Sequence, residues 1–94
     1  MFGKPALKVG GHMFACEPSH KSAEPGSLVV RIDNEQRDLL LAEEPEKYYL
    51  PAHYVGYPSV LVRLTRVKTG EMRDLLRAAH RFVSLQNRPL QGRH

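Results

Sequence analysis

Residues 27–45 read SLVVRIDNEQRDLLLAEEP, and a change of period inside this stretch decides the class of the fold. Leu28, Val30 and Ile32 alternate with Val29 and Arg31, the period of two that sets one face of a strand apart from the other. Asp33 then stands where a helix N-cap belongs, with Gln36 three residues on at the spacing of a capping box. The helix so begun carries Leu39, Leu40 and Leu41. It ends by Glu44, because Pro45 disfavours helical geometry in the residue before it.

Upstream, residues 5–16 (PALKVGGHMFAC) read as two short strands hinged at Gly10-Gly11, which supplies the positive φ angles of a tight hairpin turn. Residues 17–27 hold prolines, serines and a glycine and read as a loop. Downstream, residues 46–58 are irregular and rich in aromatics, with a short strand expected at Tyr48 to Leu50. Ser59 to Val67 is the clearest strand, with Val60, Val62 and Leu64 on one face and Leu61, Arg63 and Thr65 on the other. Thr69 is the expected cap of a last helix whose Met72, Leu75, Leu76, Ala79, Phe82 and Val83 form one apolar stripe. Residues 87–94 read as a tail beyond a domain at 1–86. The order β-β-β-α-(β)-β-α, without regular βαβ alternation, predicts an α+β domain: an antiparallel sheet with helices packed on one face.

A chain of 94 residues makes one domain, since two would each fall near the size at which a core no longer stabilises a fold. Fourteen Lys and Arg against ten acids give a net charge of +4, which favours a polyanionic partner or simple solubility. Cys16 is the single cysteine, so no intramolecular disulfide is available and a reducing cytoplasm is the expected compartment. No window approaches the ~18 consecutive apolar residues of a membrane span, and no secretory signal pattern opens the chain.

Few residues carry recognisable chemistry. His12, Cys16 and His20 are spaced by four, a metal-ligand spacing on a helix, but the segment reads as a strand and loop, and no metal or other cofactor is expected. No GxSxG, P-loop or GxGxxG pattern is present. The acids of Glu43-Glu44-Pro45-Glu46 close a helix in a solvated position, where nothing separates their pKa values for acid-base work. The chain is therefore expected not to be an enzyme. Its cations are better organised. Arg73, Arg77 and Arg81 recur every four residues opposite the apolar stripe of the last helix, as a solvated face or a phosphate-contacting row. Lys8, Arg31, Arg63 and Arg66 fall on predicted strands and, on neighbouring strands, would converge on the sheet face away from the helices. Tyr54 and Tyr57, with Tyr48 and Tyr49 upstream, would mix aromatic rings with these cations or close the end of a thin core.

Several segments resemble one family, the MmcQ/YjbR-like proteins. GKPALKVGGHMFA is similar to that family's GxPxFKVxGKxFA hairpin, and residues 27–45 to its strand and acidic, proline-ended helix. PAHYVGYPSVLVRL at 51–64 resembles its HYxGYxWVxVRL element, and the closing Leu/Ala helix also corresponds. The resemblance implies a CyaY-like fold and DNA binding of the "double wing" kind. It implies roles for Lys8, His53, Tyr54, Gly56, Tyr57 and Arg63. Two departures stand out: the family's N-terminal helix has no counterpart before GKP, and Ser59 stands where tryptophan is usual. The expectation is a non-enzymatic DNA-binding protein using Lys8, Arg31, His53, Tyr54, Tyr57, Arg63 and Arg66. The alternative is a protein-interaction or small-ligand module centred on the His53/Tyr54/Tyr57 bend, including a homodimer formed through sheet surface that the absent helix leaves uncovered.

Overall fold

The computed structural model describes residues 6–18 and 21–86; the tail expected at 87–94 and His20 lie outside the described residues. Five strands, β1 (Ala6–Val9), β2 (His12–Cys16), β3 (Ser27–Arg31), β4 (Tyr48–Tyr49) and β5 (Ser59–Arg63), form one sheet in the order β1-β2-β3-β5-β4. Every neighbouring pair is antiparallel. Helix α1 spans Asn34–Glu43 and α2 spans Thr69–Gln86. The protein is the expected α+β domain.

Local chemistry sets most boundaries. Gly10 and Gly11 take φ of 59° and 82°, the left-handed pair that a two-residue hairpin requires. The Asp33 carboxylate accepts from the Gln36 N–H at 2.9 Å and caps α1. Helix α2 begins one residue earlier than Thr69 as a cap would allow. The Glu71 carboxylate reaches back to the Lys68 N–H at 2.8 Å, so Lys68 is the cap and Thr69 the first helical residue. Strand β5 is shorter than its alternation predicted. The Leu64 N–H donates to Gly26 O at 3.0 Å, and Gly26, at φ 79°, turns the β3 side of the ladder away. Leu64–Arg66 therefore close into a 3₁₀ turn, leaving Leu64 41% exposed rather than in the core and taking Arg66 off the sheet.

Apolar side chains gather on both faces of the sheet. On one, Ala15, Val30, Ile32, Val60 and Val62 pack under Leu75, Ala79 and Val83 of α2, with Leu40 and Leu41 of α1 against the same cluster. On the other, Val29 and Leu61 are roofed by Tyr54, with Tyr49, Leu50 and Ala23 around them. Lys47 ties the two helices together, its ammonium 2.6 Å from both the Glu44 and Glu71 carboxylates. Those two acids hold it above the usual lysine range, Glu44 contributing most. Glu44 is thus a half-buried structural partner, while Glu43 and Glu46 are exposed. No helix among the described residues is long and apolar enough to cross a membrane.

Candidate functional site

The face away from the helices is shaped by an irregularity in β2. Leu7 pairs with Ala15 while Lys8 pairs with Met13, so Phe14 is an extra residue, a β-bulge. The bulge lets Phe14 and Ala15 both join the helix-side core, while Met13 and Cys16 border the opposite face. Lys8, opposite Met13, is exposed at that face's edge strand.

The cations of this face do not converge. Arg31 pairs across the β3–β5 ladder with Ser59, and Arg63 pairs with Ser27, so the two arginines sit at opposite ends of the same ladder. Four residues of strand separate them, about 13 Å. Arg63 is also committed to the protein. Its guanidinium donates to both Glu24 carboxylate oxygens at 3.0 and 2.9 Å and to Pro45 O at 2.9 Å. It lies 4.4 Å over the Tyr49 ring. The Tyr49 hydroxyl pairs with that of Ser27 and accepts from the Glu24 N–H at 2.7 Å. The bond to Arg63 holds the Glu24 carboxyl below its usual range, with Arg66 adding a smaller electrostatic pull. Arg63 is therefore a latch between the 24-loop and the sheet, and Arg66 is an exposed cation of the turn before α2.

The other end of the ladder carries the bend. Pro51 opens a 3₁₀ turn over Ala52–Tyr54, with the Tyr54 N–H bonded to Pro51 O at 2.9 Å. The Ser59 N–H then bonds to Tyr57 O at 2.8 Å as the chain enters β5. Gly56 has no positive φ, and a Cβ placed on it would meet nothing within 4 Å, so this turn does not require glycine there. Tyr54 lies 8% exposed over Val29 and Leu61, with the His53 ring edge-on at 5.0 Å, whereas Tyr57 is 59% exposed. Between the bend and the sheet is a cavity of about 430 Å³, bordered by Arg31, Ser59, His53, Tyr54 and Tyr57 over Met13 and Val29. Four of the seven expected site residues meet here, while Lys8, Arg63 and Arg66 stand elsewhere. Ser59, noticed in the sequence only as a missing tryptophan, is the residue that sequence reasoning missed: its hydroxyl is buried and has no hydrogen-bond partner among the described residues. Cys16 also borders the cavity, its thiol pushed up by burial and then by the Glu17 charge, so it stays protonated at neutral pH. Among the described residues no three His, Cys, Asp or Glu side chains are grouped to hold a metal ion.

The other organised surface is on α2. Arg73, Arg77 and Arg81 are all exposed, and none takes part in an ion pair among the described residues. Arg73 and Arg77 border a groove of about 710 Å³ between α2 and the β1–β2 hairpin, whose apolar lining includes Leu7, Phe14, Met72 and Leu76.

One uncharacterized protein of Mycobacterium bovis and two of Mycobacterium tuberculosis are each 38% identical to this chain over 56 residues, which is 57% of the chain. The matched stretch covers only 43% of the length of those relatives. No solved structure matches the chain. The model of the YjbR family matches residues 1–82, from the hairpin through α1 and the bend into α2, and the chain belongs to that family.

Proposed function

We propose that this YjbR-family protein binds DNA without catalysing a reaction, through phosphate contacts made by one edge of α2. The observation that carries the reading is the row Arg73, Arg77 and Arg81: three exposed guanidinium groups, in no ion pair among the described residues, rising about 6 Å per step along an 18-residue helix. Arg66 is a further exposed cation, in the turn leading into α2. This surface takes the place of the sheet face expected from sequence, because Arg63 is held by Glu24 and Arg31 stands at the far end of the ladder. Such a surface reads backbone charge rather than bases, since phosphate contacts fix position without carrying sequence information. A net charge of +4 and a single protonated thiol are compatible with a cytoplasmic DNA-binding role.

The test is titration against duplex DNA at two salt concentrations. Three to four phosphate contacts predict an affinity falling about 40- to 150-fold between 50 and 200 mM salt. The triple variant R73Q/R77Q/R81Q should lose most of the affinity and most of that salt dependence. Binding that is indifferent to salt, or unchanged in the triple variant, would sink the proposal.

A second reading has its own observation. Leu7 and Leu64, 49% and 41% exposed, border the groove beside α2, an apolar surface suited to a second copy of the chain. Light scattering decides it: a tight dimer broken by Leu7→Lys supports self-association, and a monomer at all concentrations removes it.

A further inference from the structure

We infer that the cavity between β3, β5 and the 51–58 bend is a binding site for a small organic monocarboxylate with a flat apolar body, an aromatic acid above all. Three features converge there. The first is Ser59, which borders the cavity at 2% exposure and whose buried hydroxyl has no hydrogen-bond partner among the described residues. A buried hydroxyl left unsatisfied is costly, and most buried polar groups avoid that state. The cavity is where a partner for this hydroxyl can enter.

The second feature is Arg31, directly across the ladder from Ser59 and bordering the same cavity. One of its N–H groups donates to the Gln86 Oε1 at 3.1 Å, and no further bond engages the guanidinium among the described residues. A planar fork of donors beside a hydroxyl matches the two oxygens of a carboxylate. The third feature is the remaining lining. Met13 and Val29 supply apolar surface, and the Tyr54, Tyr57 and His53 side chains border the same space. At about 430 Å³ the space lies within the roughly 300–1,000 Å³ of small-molecule sites.

Charge narrows the class further. Arg31 is the one Lys or Arg side chain bordering the cavity among the described residues, and Glu17 stands on its rim. A ligand with a second negative charge would meet Glu17 without a cation to balance it, so a monoanion fits and a polyphosphate does not. This site is separate from the arginine row of α2 and stands or falls independently of DNA binding.

The test is an amide-resolved NMR titration of the chain with indole-3-acetate at millimolar concentration. Indole-3-acetamide and inorganic phosphate serve as parallel probes. The expected result is saturable shifts at Val29, Arg31, Ser59 and the bend with the acid. The neutral amide should bind about tenfold or more weakly, because it lacks the charge that Arg31 recognises. R31Q should weaken the acid about tenfold or more and S59A about three- to tenfold, with R73Q/R77Q/R81Q unchanged. The inference is overturned if the acid causes no shifts there, or if acid and amide bind alike. Shifts from phosphate alone, or an equal loss in the α2 triple variant, would also overturn it.

Discussion

Each face of the sheet buries apolar side chains at its centre, but the two are covered in different ways. On the helix side, Val30, Ile32, Val60 and Val62 lie under the periodic apolar stripe of α2, with Leu40 and Leu41 of α1 against the same cluster. On the other side, Leu61 is just as fully buried, but its roof is irregular chain, Tyr54 of the bend with Leu50 and with Ala23 of the 24-loop, beside Tyr49 of β4. A helix covers a sheet continuously and turns its polar row to water, which is how α2 comes to present Arg73, Arg77 and Arg81. An irregular roof is pinned at points instead, here by the Arg63–Glu24 latch and the Tyr49–Ser27 hydroxyl pair, and it leaves a gap where the pins stop. The cavity beside Arg31 and Ser59 is that gap.

The largest effect that can break this comparison comes from truncating one fully buried side chain on each face. Ile32→Ala, beneath the helices, is expected to cost about 2–5 kcal/mol, a large share of a small domain's stability. Leu61→Ala should fall in the same range of about 2–5 kcal/mol but nearer its lower end, because an irregular roof can settle into the space left. Urea unfolding of both variants measures the difference. A cost below about 1 kcal/mol for Leu61→Ala would show that the roof is not packed, and the equivalence of the two faces would fail.

A smaller effect probes the weaker helix. Helix α1 has no fully buried residue, whereas α2 buries Leu75, Ala79 and Val83. The Asp33 cap is therefore a larger part of what holds α1 in place. Asp33→Ala should destabilise by about 1 kcal/mol. Hydrogen exchange should rise in α1 before it rises in α2; uniform exchange across both helices would contradict this.

Acid sharpens the contrast between the covers. Glu24 pins the roof and Glu71 pins the start of α2, and both carboxyls are held below their ordinary value of 4.5, by Arg63 and by Lys47 respectively. A lowered folded pKa means that the unfolded chain binds more protons over the intervening pH range. The stability these groups contribute is therefore complete above the ordinary carboxylate value and is lost as pH falls through the folded values. Both groups lie at the surface, so the effect is small and should shrink with added salt. In E24Q the acid-induced loosening should disappear from the roof amides and persist at the start of α2; E71Q should show the reverse. A change spread evenly over both sites in either variant would mean that the two latches do not act locally.

Much of the fold was legible because it rests on local signals. The Gly10-Gly11 turn, the alternation of 28–32, the Asp33 cap and the α2 stripe each follow from a few neighbouring residues. Legibility failed where a distant partner decided the outcome. Strand β5 stops at Arg63 because Gly26, far back in the chain, turns the ladder away. Arg63 looked like a free cation because nothing near it in sequence announces Glu24 as its partner. The bulge at Phe14, which sets what borders the outer face, has no glycine or proline to mark it. For the site, the residues His53, Tyr54 and Tyr57 were legible as a cluster, but that Arg31 and Ser59 join them depends on strand register.

The smallest expected effect separates structure from function at that register. In a well-satisfied core, removing a serine hydroxyl loses a hydrogen bond and destabilises. Among the described residues the buried Ser59 hydroxyl has no bond to lose. Ser59→Ala should therefore be neutral or stabilise the free protein by about 0.5 kcal/mol, since it removes an unsatisfied polar atom at almost constant shape. A matched pair of denaturant titrations, run without added ligand, measures it. Destabilisation by more than about 1 kcal/mol would mean that the hydroxyl is already satisfied within the fold, and the argument for an incoming partner would lose its first support. Stability gained together with carboxylate affinity lost is the pattern of a polar group kept for binding at the expense of the fold.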